Sequence, residues 1–300
     1  MCYLCQSNAL HMRRYAFIIN PISGTHSKDN IEKEILSQAN RCGLKVDIVR
    51  TEYAGHATEL ARKFARDGYS IVVAVGGDGT VNEVAKGLID SEAALAIIPT
   101  GSGNGLANHL GFCHNVRKNL DYIFGASEIR PIDAGSMGEY SFFCTCGVGF
   151  DAHVGMRFAK YGKRGLLSYI KLTVGQYFYY KPERYMLKAD GTSFEGQALL
   201  ITVANANQWG NNVRIAAGAD ISDGLFDITI VSPIKLWLLP AFAWHLLSGR
   251  IYKDSNVLHL KASSIQISSG NSMVAHFDGE PVTVPSEIEI SIHRGALKTI

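Results

Sequence analysis

Four short apolar runs, separated by helical patterns and turn residues, fill the first hundred positions and leave few folds open. Tyr15-Ala16-Phe17-Ile18-Ile19 reads as a buried strand. A helix capped by Asp29 is expected through about Asn40, with Ile31, Ile35 and Ala39 on one face and Gly43 beyond its end. Val46 to Val49 is a second strand. From His56 to Arg66 the residues Ala57, Leu60, Ala61, Phe64 and Ala65 recur at helical spacing, and Gly68 follows as the stop. Ile71 to Val75 is apolar throughout, as a strand covered on both faces should be. A short helix from about Val81 to Leu88 and a strand from Leu95 to Ile98 complete the series. Strand–helix alternation of this kind implies a parallel sheet with right-handed crossovers.

The pattern changes near Asp133. Strands are expected at Tyr140–Thr145, Tyr185–Ala189, Gln197–Ala204, Phe226–Val231, Ala262–Ile267, Val274–Phe277 and Ile288–Ile292. Turn signals such as Asp190-Gly191 separate them, and helical stretches run around Leu166–Phe178 and Ile234–Leu247. The expected organisation is an N-terminal extension (1–12), an α/β domain with a parallel sheet (13–132), and a mostly antiparallel β-sandwich domain (133–292). Residues 293–300 are a candidate to pack back on the first domain.

Composition narrows the function classes. Hydrophobic residues make up 47% and charged residues 19%, which excludes wholesale disorder. The formal charge is only +2, without the basic excess of a polyanion binder, so no nucleic-acid partner is expected. Cys2 and Cys5 form a C-x-x-C with no second pair at zinc spacing, and Cys144 and Cys146 read as buried thiols on one face of a strand. Residues 1–12 lack the basic and apolar regions of a secretory signal. The longest apolar run, Ile234 to Leu247, is shorter than the roughly 20 residues a bilayer span needs. A cytoplasmic protein, soluble or peripheral at a membrane, is the expectation.

The chemistry concentrates where strands end. Gly76-Gly77-Asp78-Gly79-Thr80 follows the third strand and precedes a helix. Glycines there let backbone N–H groups approach phosphates, and the helix N-terminus adds partial positive charge. An aspartate in such a loop makes sense if it holds Mg2+ beside the phosphates; the plainer alternative is a glycine turn with a capping aspartate. A second loop, Pro99-Thr100-Gly101-Ser102-Gly103-Asn104-Gly105, follows the fourth strand. It misses the dinucleotide fingerprint, because Leu106 stands where a glycine is required, and no Walker lysine motif is present. Asn20-Pro21-Ile22-Ser23-Gly24 lies at the same sheet edge.

In order along the chain, Asn20-Pro21-x-Ser23-Gly24, Thr51-x-x-x-Gly55-His56-Ala57, Gly76-Gly77-Asp78-Gly79-Thr80-x-Asn82-Glu83 and Gly101-Ser102-Gly103-Asn104 resemble the diacylglycerol kinase catalytic domain family. That family includes soluble bacterial lipid kinases and eukaryotic sphingosine and ceramide kinases. The resemblance continues through Gly149-Phe150-Asp151-Ala152, Asp223-Gly224-Leu225-Phe226-Asp227 and Asp278-Gly279-Glu280. It implies an ATP-dependent lipid kinase of two domains. Nucleotide contacts would fall on Asn20, Pro21, Ser23, Gly24, Thr51, the residues Gly76 to Asn82, and Gly101 to Asn104. The catalytic base would lie in the Asp278-Gly279-Glu280 element, and a structural Mg2+ would be held by the Asp223 side chain and the carbonyls of Asp220 and Leu225. Asn104-Gly105-Leu106-Ala107 looks more like the sphingosine and ceramide kinase branch than the bacterial Asn-Asp-Phe-Ala.

Read without the family, Asp223-Gly224 and Asp278-Gly279 are hairpin-turn dipeptides. A carboxylate is needed to accept the substrate proton, and Glu280 is favoured, with Asp278 positioning metal or partner groups and Asp78 serving metal and phosphate. His56 reads as a nucleotide or capping contact; His276 receives no role. For membrane access, Lys160, Lys163, Arg164, Lys171, Lys181 and Arg184 flank an aromatic stretch from Tyr161 to Tyr180, and the segment with Trp237 and Trp244 is a second candidate. Solvated helices packed on the β domain are the alternative. Exposed edge strands permit a homodimer without requiring one. Two other functions compete: an NAD kinase, which shares the first glycine loop, and a non-catalytic lipid-binding protein on the kinase scaffold.

Overall fold

The computed structural model describes residues 13–24, 28–160, 166–210 and 213–300. Cys2 and Cys5, the extension at 1–12, and Tyr161, Lys163 and Arg164 lie outside the described residues. The described residues up to Ile132, with Gly295–Ile300, form one compact unit; Asp133–Arg294 form another.

The first unit begins β1 (Tyr15–Ile19), α1 (Lys28–Arg41), β2 (Val46–Arg50), α2 (His56–Arg66), β3 (Ile71–Gly76), α3 (Asp78–Leu88) and β4 (Ala94–Pro99). The sheet order is β2-β1-β3-β4, every pairing parallel. All residues of β1, β3 and β4 are buried, as their unbroken apolar runs require, whereas edge strand β2 is only partly covered. Strand order reverses between β1 and β3, and in an open α/β sheet that switch point is where ligands bind. Asp29 does not cap α1, which starts one residue earlier; its carboxylate pairs instead with Arg50 at 2.5 Å. The glycine loop is shorter than expected, because Asp78, Gly79 and Thr80 already form the first turn of α3. Two further helices, α4 (Gly105–His109) and α5 (Val116–Gly125), were not anticipated. For α5 the signal was present: Asn115 caps it by accepting the Lys118 N–H, and Leu120, Ile123 and Phe124 are buried at helical spacing.

The second unit carries most of β5 (Arg130–Met137), then β6 (Tyr140–Phe142), β7 (Thr145–Gly149), α6 (Phe150–Lys160), α7 (Leu166–Tyr177), β8 (Glu183–Ala189), β9 (Thr192–Ala198), β10 (Leu200–Ala204) and β11 (Phe226–Val231). A 3-10 turn (Leu236–Leu238) leads into α8 (Leu239–Leu247). The chain continues with β12 (Val257–Ala262), β13 (Ser264–Ser269), β14 (Met273–Phe277), β15 (Glu280–Val284) and β16 (Glu287–Thr299). One antiparallel sheet runs β12-β11-β10-β7-β14-β15; the other includes β16-β13-β8-β9. Val148, Ile201 and Ile228 from the first meet Leu187, Ile267 and Ile290 from the second in one core, which makes a β-sandwich.

Three expected strands are in fact two apiece. Tyr140–Thr145 divides between β6 and β7, Gln197–Ala204 at Leu199, and Ala262–Ile267 at Ser263. At Leu199 and Ser263 the chain passes from one sheet to the other; at Leu199 the apolar run 198–201 looks the same whether it stays in a sheet or switches. Cys144 and Cys146 are both buried, as expected, but only Cys146 lies in a strand.

Candidate functional site

At the β1/β3 switch point the first unit ties three loops together. The Asn20 N–H donates to the Val75 carbonyl (3.0 Å), and its Nδ2 donates to Thr80 Oγ1 (2.9 Å). Ser23 Oγ reaches the Asn20 carbonyl (3.0 Å) and Thr100 Oγ1 (2.9 Å), while the Thr100 N–H donates to the Gly76 carbonyl (2.8 Å). Asn20, Ser23 and Thr80 therefore come together as expected, with Thr100 as a joint that sequence reasoning did not single out.

The glycines serve contact between loops. A Cβ on Gly101 would stand 2.7 Å from the Gly77 Cα, and one on Gly24 (φ +63°) 2.0 Å from the Thr100 oxygen. No side chain fits at either place.

Asp78 acts as a cap between the two glycine loops. Its Oδ2 accepts the Asn104 N–H and its Oδ1 the Gly105 N–H, both at 2.9 Å, so it caps α4 across the two glycine loops. It does not cap its own helix: the N-cap of α3 is Gly77, with no side-chain cap, which leaves backbone N–H groups at that end. The negative charge that would repel a phosphate is thus met by neighbouring N–H groups. Asn104, in left-handed conformation (φ 57°), donates from Nδ2 to the Gly101 carbonyl (2.7 Å). Asn82 is buried, Pro21, Gly24 and Ser102 are exposed, and Gly79 and Gly103 are half-buried. One feature of this edge suits phosphate, a helix N-terminus lacking a side-chain cap.

Beyond β2, the Thr51 N–H donates to the Ile19 carbonyl (2.9 Å). The Glu83 carboxylate accepts the N–H groups of Gly55 (2.9 Å) and Ala57 (3.2 Å), capping α2. His56 turns to its own loop: Nδ1 accepts the Glu52 N–H, and the ring stacks on Tyr53 at 4.5 Å. Lys28 was also missed. Its ammonium is buried at the start of α1 with no hydrogen-bond partner among the described residues, and burial lowers its pKa.

In the second unit, Asp278 (φ 45°) and Gly279 (φ 87°) make the tight β14–β15 turn. The Asp278 carboxylate accepts three backbone N–H groups, those of Phe143 (3.0 Å), Cys144 (2.8 Å) and Thr145 (3.1 Å). It is a clamp on the approach to β7. Glu280 opens β15 exposed and, among the described residues, its side chain makes no hydrogen bond or ion pair. His276 is buried with Nε2 3.0 Å from Asp151 Oδ2, an oxygen that also accepts from Thr202 Oγ1 (3.3 Å). Burial, with the charges of Asp278 and Asp151, pushes the Cys146 thiol well up.

The expected Mg2+ loop is engaged otherwise. Asp220 Oδ1 accepts the Ser222 N–H (3.0 Å) and hydroxyl (2.7 Å); Asp223 Oδ1 accepts the Leu225 N–H (2.9 Å). Asp223 Oδ2 pairs with the Lys261 ammonium at 3.1 Å. Although burial works against its charge, Lys261 has a raised pKa because Asp223 and Asp227 hold it. The loop thus answers the Asp223 carboxylate with the Lys261 ammonium. Among the described residues no cluster of three acidic, His or Cys side chains is placed for a metal.

Residues 14–137 match the family model for the diacylglycerol kinase catalytic domain, and residues 144–300 match that for the YegS C-terminal NAD kinase beta sandwich-like domain. The chain belongs to the diacylglycerol kinase family. Among curated relatives, a diacylglycerol kinase of Bacillus subtilis (strain 168) is 28% identical over 282 residues, covering 90% of each chain. One from Staphylococcus carnosus (strain TM300) is 27% identical over 282 residues, covering 90% of this chain and 89% of that protein. Among solved structures, a putative diacylglycerol kinase from Bacillus anthracis str. Sterne superposes with TM-score 0.78 at 23% identity, covering 96% of both chains. The α/β unit and the β-sandwich are thus a family architecture.

Proposed function

We propose that this family member is an ATP-dependent lipid kinase, transferring the γ-phosphoryl group of MgATP to the hydroxyl of a diacylglycerol, a related glycerolipid or a sphingoid base. The observation that carries the reading is the interlocked glycine edge at the β1/β3 switch point, with the α3 N-terminus open beside it. Backbone N–H groups of the first turn of α3 and the exposed Ser102 hydroxyl would hold phosphate oxygens. Mg2+, arriving with the nucleotide, supplies neutralisation of phosphate charge. Glu280 takes the proton of the acceptor hydroxyl as its oxygen bonds to the γ-phosphorus and the bond to the bridging oxygen of ADP breaks. Of the two carboxylates in the Asp-Gly-Glu element, Glu280 has its charge uncommitted, whereas Asp278 is held by three N–H groups.

Paired variants test the division of labour. Glu280→Gln is expected to lose at least ~10²-fold in turnover while melting like wild type. Asp278→Asn, which turns an amide toward N–H donors, is expected to lose about 2 kcal/mol of stability. Full turnover in Glu280→Gln removes it as the base.

A further inference from the structure

The glycine edge offers backbone N–H groups but no cation of its own. Residues 20–24, 76–80 and 99–105 contain no lysine or arginine, and their single charged residue, Asp78, is negative. A site for phosphoryl transfer needs positive charge set against its phosphates. The described cation nearest to these loops along the chain is Lys28, in the first turn of α1 and four positions beyond Gly24. Lys28 is only 7% exposed, and its ammonium has no hydrogen-bond partner among the described residues. The acids closest to it in sequence, Asp29 and Glu32, are both taken by Arg50, at 2.5 and 2.8 Å.

Helical geometry gives the direction of that side chain. The buried residues of α1 are Lys28, Ile31, Ile35, Gln38 and Ala39, a stripe at helical spacing that faces the interior of the unit, and Lys28 heads it. Because β1 pairs in parallel with both β2 and β3, α1 runs back against the strands and begins at their carboxyl edge, where the glycine loops lie. Side chains on a helix lean toward its N-terminus. The Lys28 stem therefore carries its ammonium past the first turn of α1, toward the loop of Asn20, Ser23 and Gly24.

Among the described residues nothing rewards this placement. A buried ammonium loses its hydration, and a cation at the start of a helix meets the partial positive charge there. Burial holds the Lys28 pKa below its ordinary value. A group that costs folding and meets no partner belongs to a site that a ligand completes, and three N–H donors on one positive centre match phosphate oxygens. We infer that the Lys28 ammonium is the phosphate-binding cation of the glycine edge, holding the polyphosphate of the nucleotide together with the N–H groups of α3. It supplies from α1 the charge that a Walker lysine supplies in P-loop proteins. The inference rests on the nucleotide reading of that edge and adds to it a residue that none of the three loops contains.

The test is calorimetric titration of the full chain, without lipid, by ATP and by inorganic triphosphate, each with Mg2+. Triphosphate should displace ATP from wild type. Lys28→Met, which keeps the length of the side chain and removes its charge, should bind both ligands at least roughly tenfold more weakly. Melting without ligand separates binding from structure. A lysine kept only for the fold lowers the melting temperature when replaced, whereas removing an unpaired buried charge is expected to raise it. Equal affinity of wild type and Lys28→Met for both ligands overturns the role of Lys28 and leaves the nucleotide reading standing. Wild type that takes neither ATP nor triphosphate overturns both.

Discussion

Two backbone N–H groups, those of Asn104 and Gly105, converge on the Asp78 carboxylate, and three more converge on Asp278. Both aspartates were legible as members of motifs, yet their partners were not. The donors to Asp278 lie at least 133 positions upstream, and no local pattern records them. For Asp78 the consequence is functional: it fixes the second glycine loop against the first, and so shapes the phosphate edge indirectly. Asp78→Asn keeps one acceptor but turns an amide toward the other N–H. The expected result is a loss of about 1–2 kcal/mol and a KM for ATP raised roughly tenfold, with kcat less affected. An unchanged KM would contradict a positioning role. His276 and Asp151 teach the same lesson, since nothing near His276 in the sequence records the carboxylate bonded to its Nε2.

The parallel α/β series was readable because its periodicities differ at every step. An apolar strand such as β3 gives way to a helix with one wet face, and glycine marks the exchange. The β-sandwich was readable in kind but not in pairing. Its strands switch sheets at Leu199 and Ser263, where the bonds that fix the switch come from distant residues. At Ser263 that anchor is Asp190, in the β8–β9 turn, which accepts the Ser263 N–H (2.6 Å) and hydroxyl (3.1 Å) and the Ser264 N–H (3.2 Å). These bonds, the Ser263 N–H foremost, hold the Asp190 carboxyl below its ordinary 3.8. A carboxyl lowered by folding contributes stability above its unfolded value and loses it as pH falls through the folded one. Asp190→Asn should therefore melt below wild type at neutral pH, and the gap should close as pH falls below the ordinary carboxylate range. A gap independent of pH would assign the cost to turn geometry instead.

On the scale of the whole chain, the first unit is not contiguous in sequence. It is completed by Gly295–Ile300, the last six residues. There Lys298 and Thr299 pair in parallel with Ala94 and Leu95 of β4, Thr299 Oγ1 donates to the Leu95 carbonyl (3.0 Å), and Leu297 and Ile300 are buried. Losing two buried aliphatic side chains at roughly 2–5 kcal/mol each approaches the entire stability of a domain, ~5–15 kcal/mol. Truncation after Arg294 should therefore leave the first unit unable to bind ATP, measured by calorimetry; full binding would contradict the closing role of the final strand. The most direct measurement of function is the fate of phosphate. The protein is incubated with γ-labelled MgATP and mixed micelles of diacylglycerol, sphingoid base or ceramide, with NAD as a parallel acceptor. Label in the lipid phase is the expected result, and the preferred acceptor names the substrate. Label in NADP, or ATP bound without any transfer, would contradict a lipid kinase.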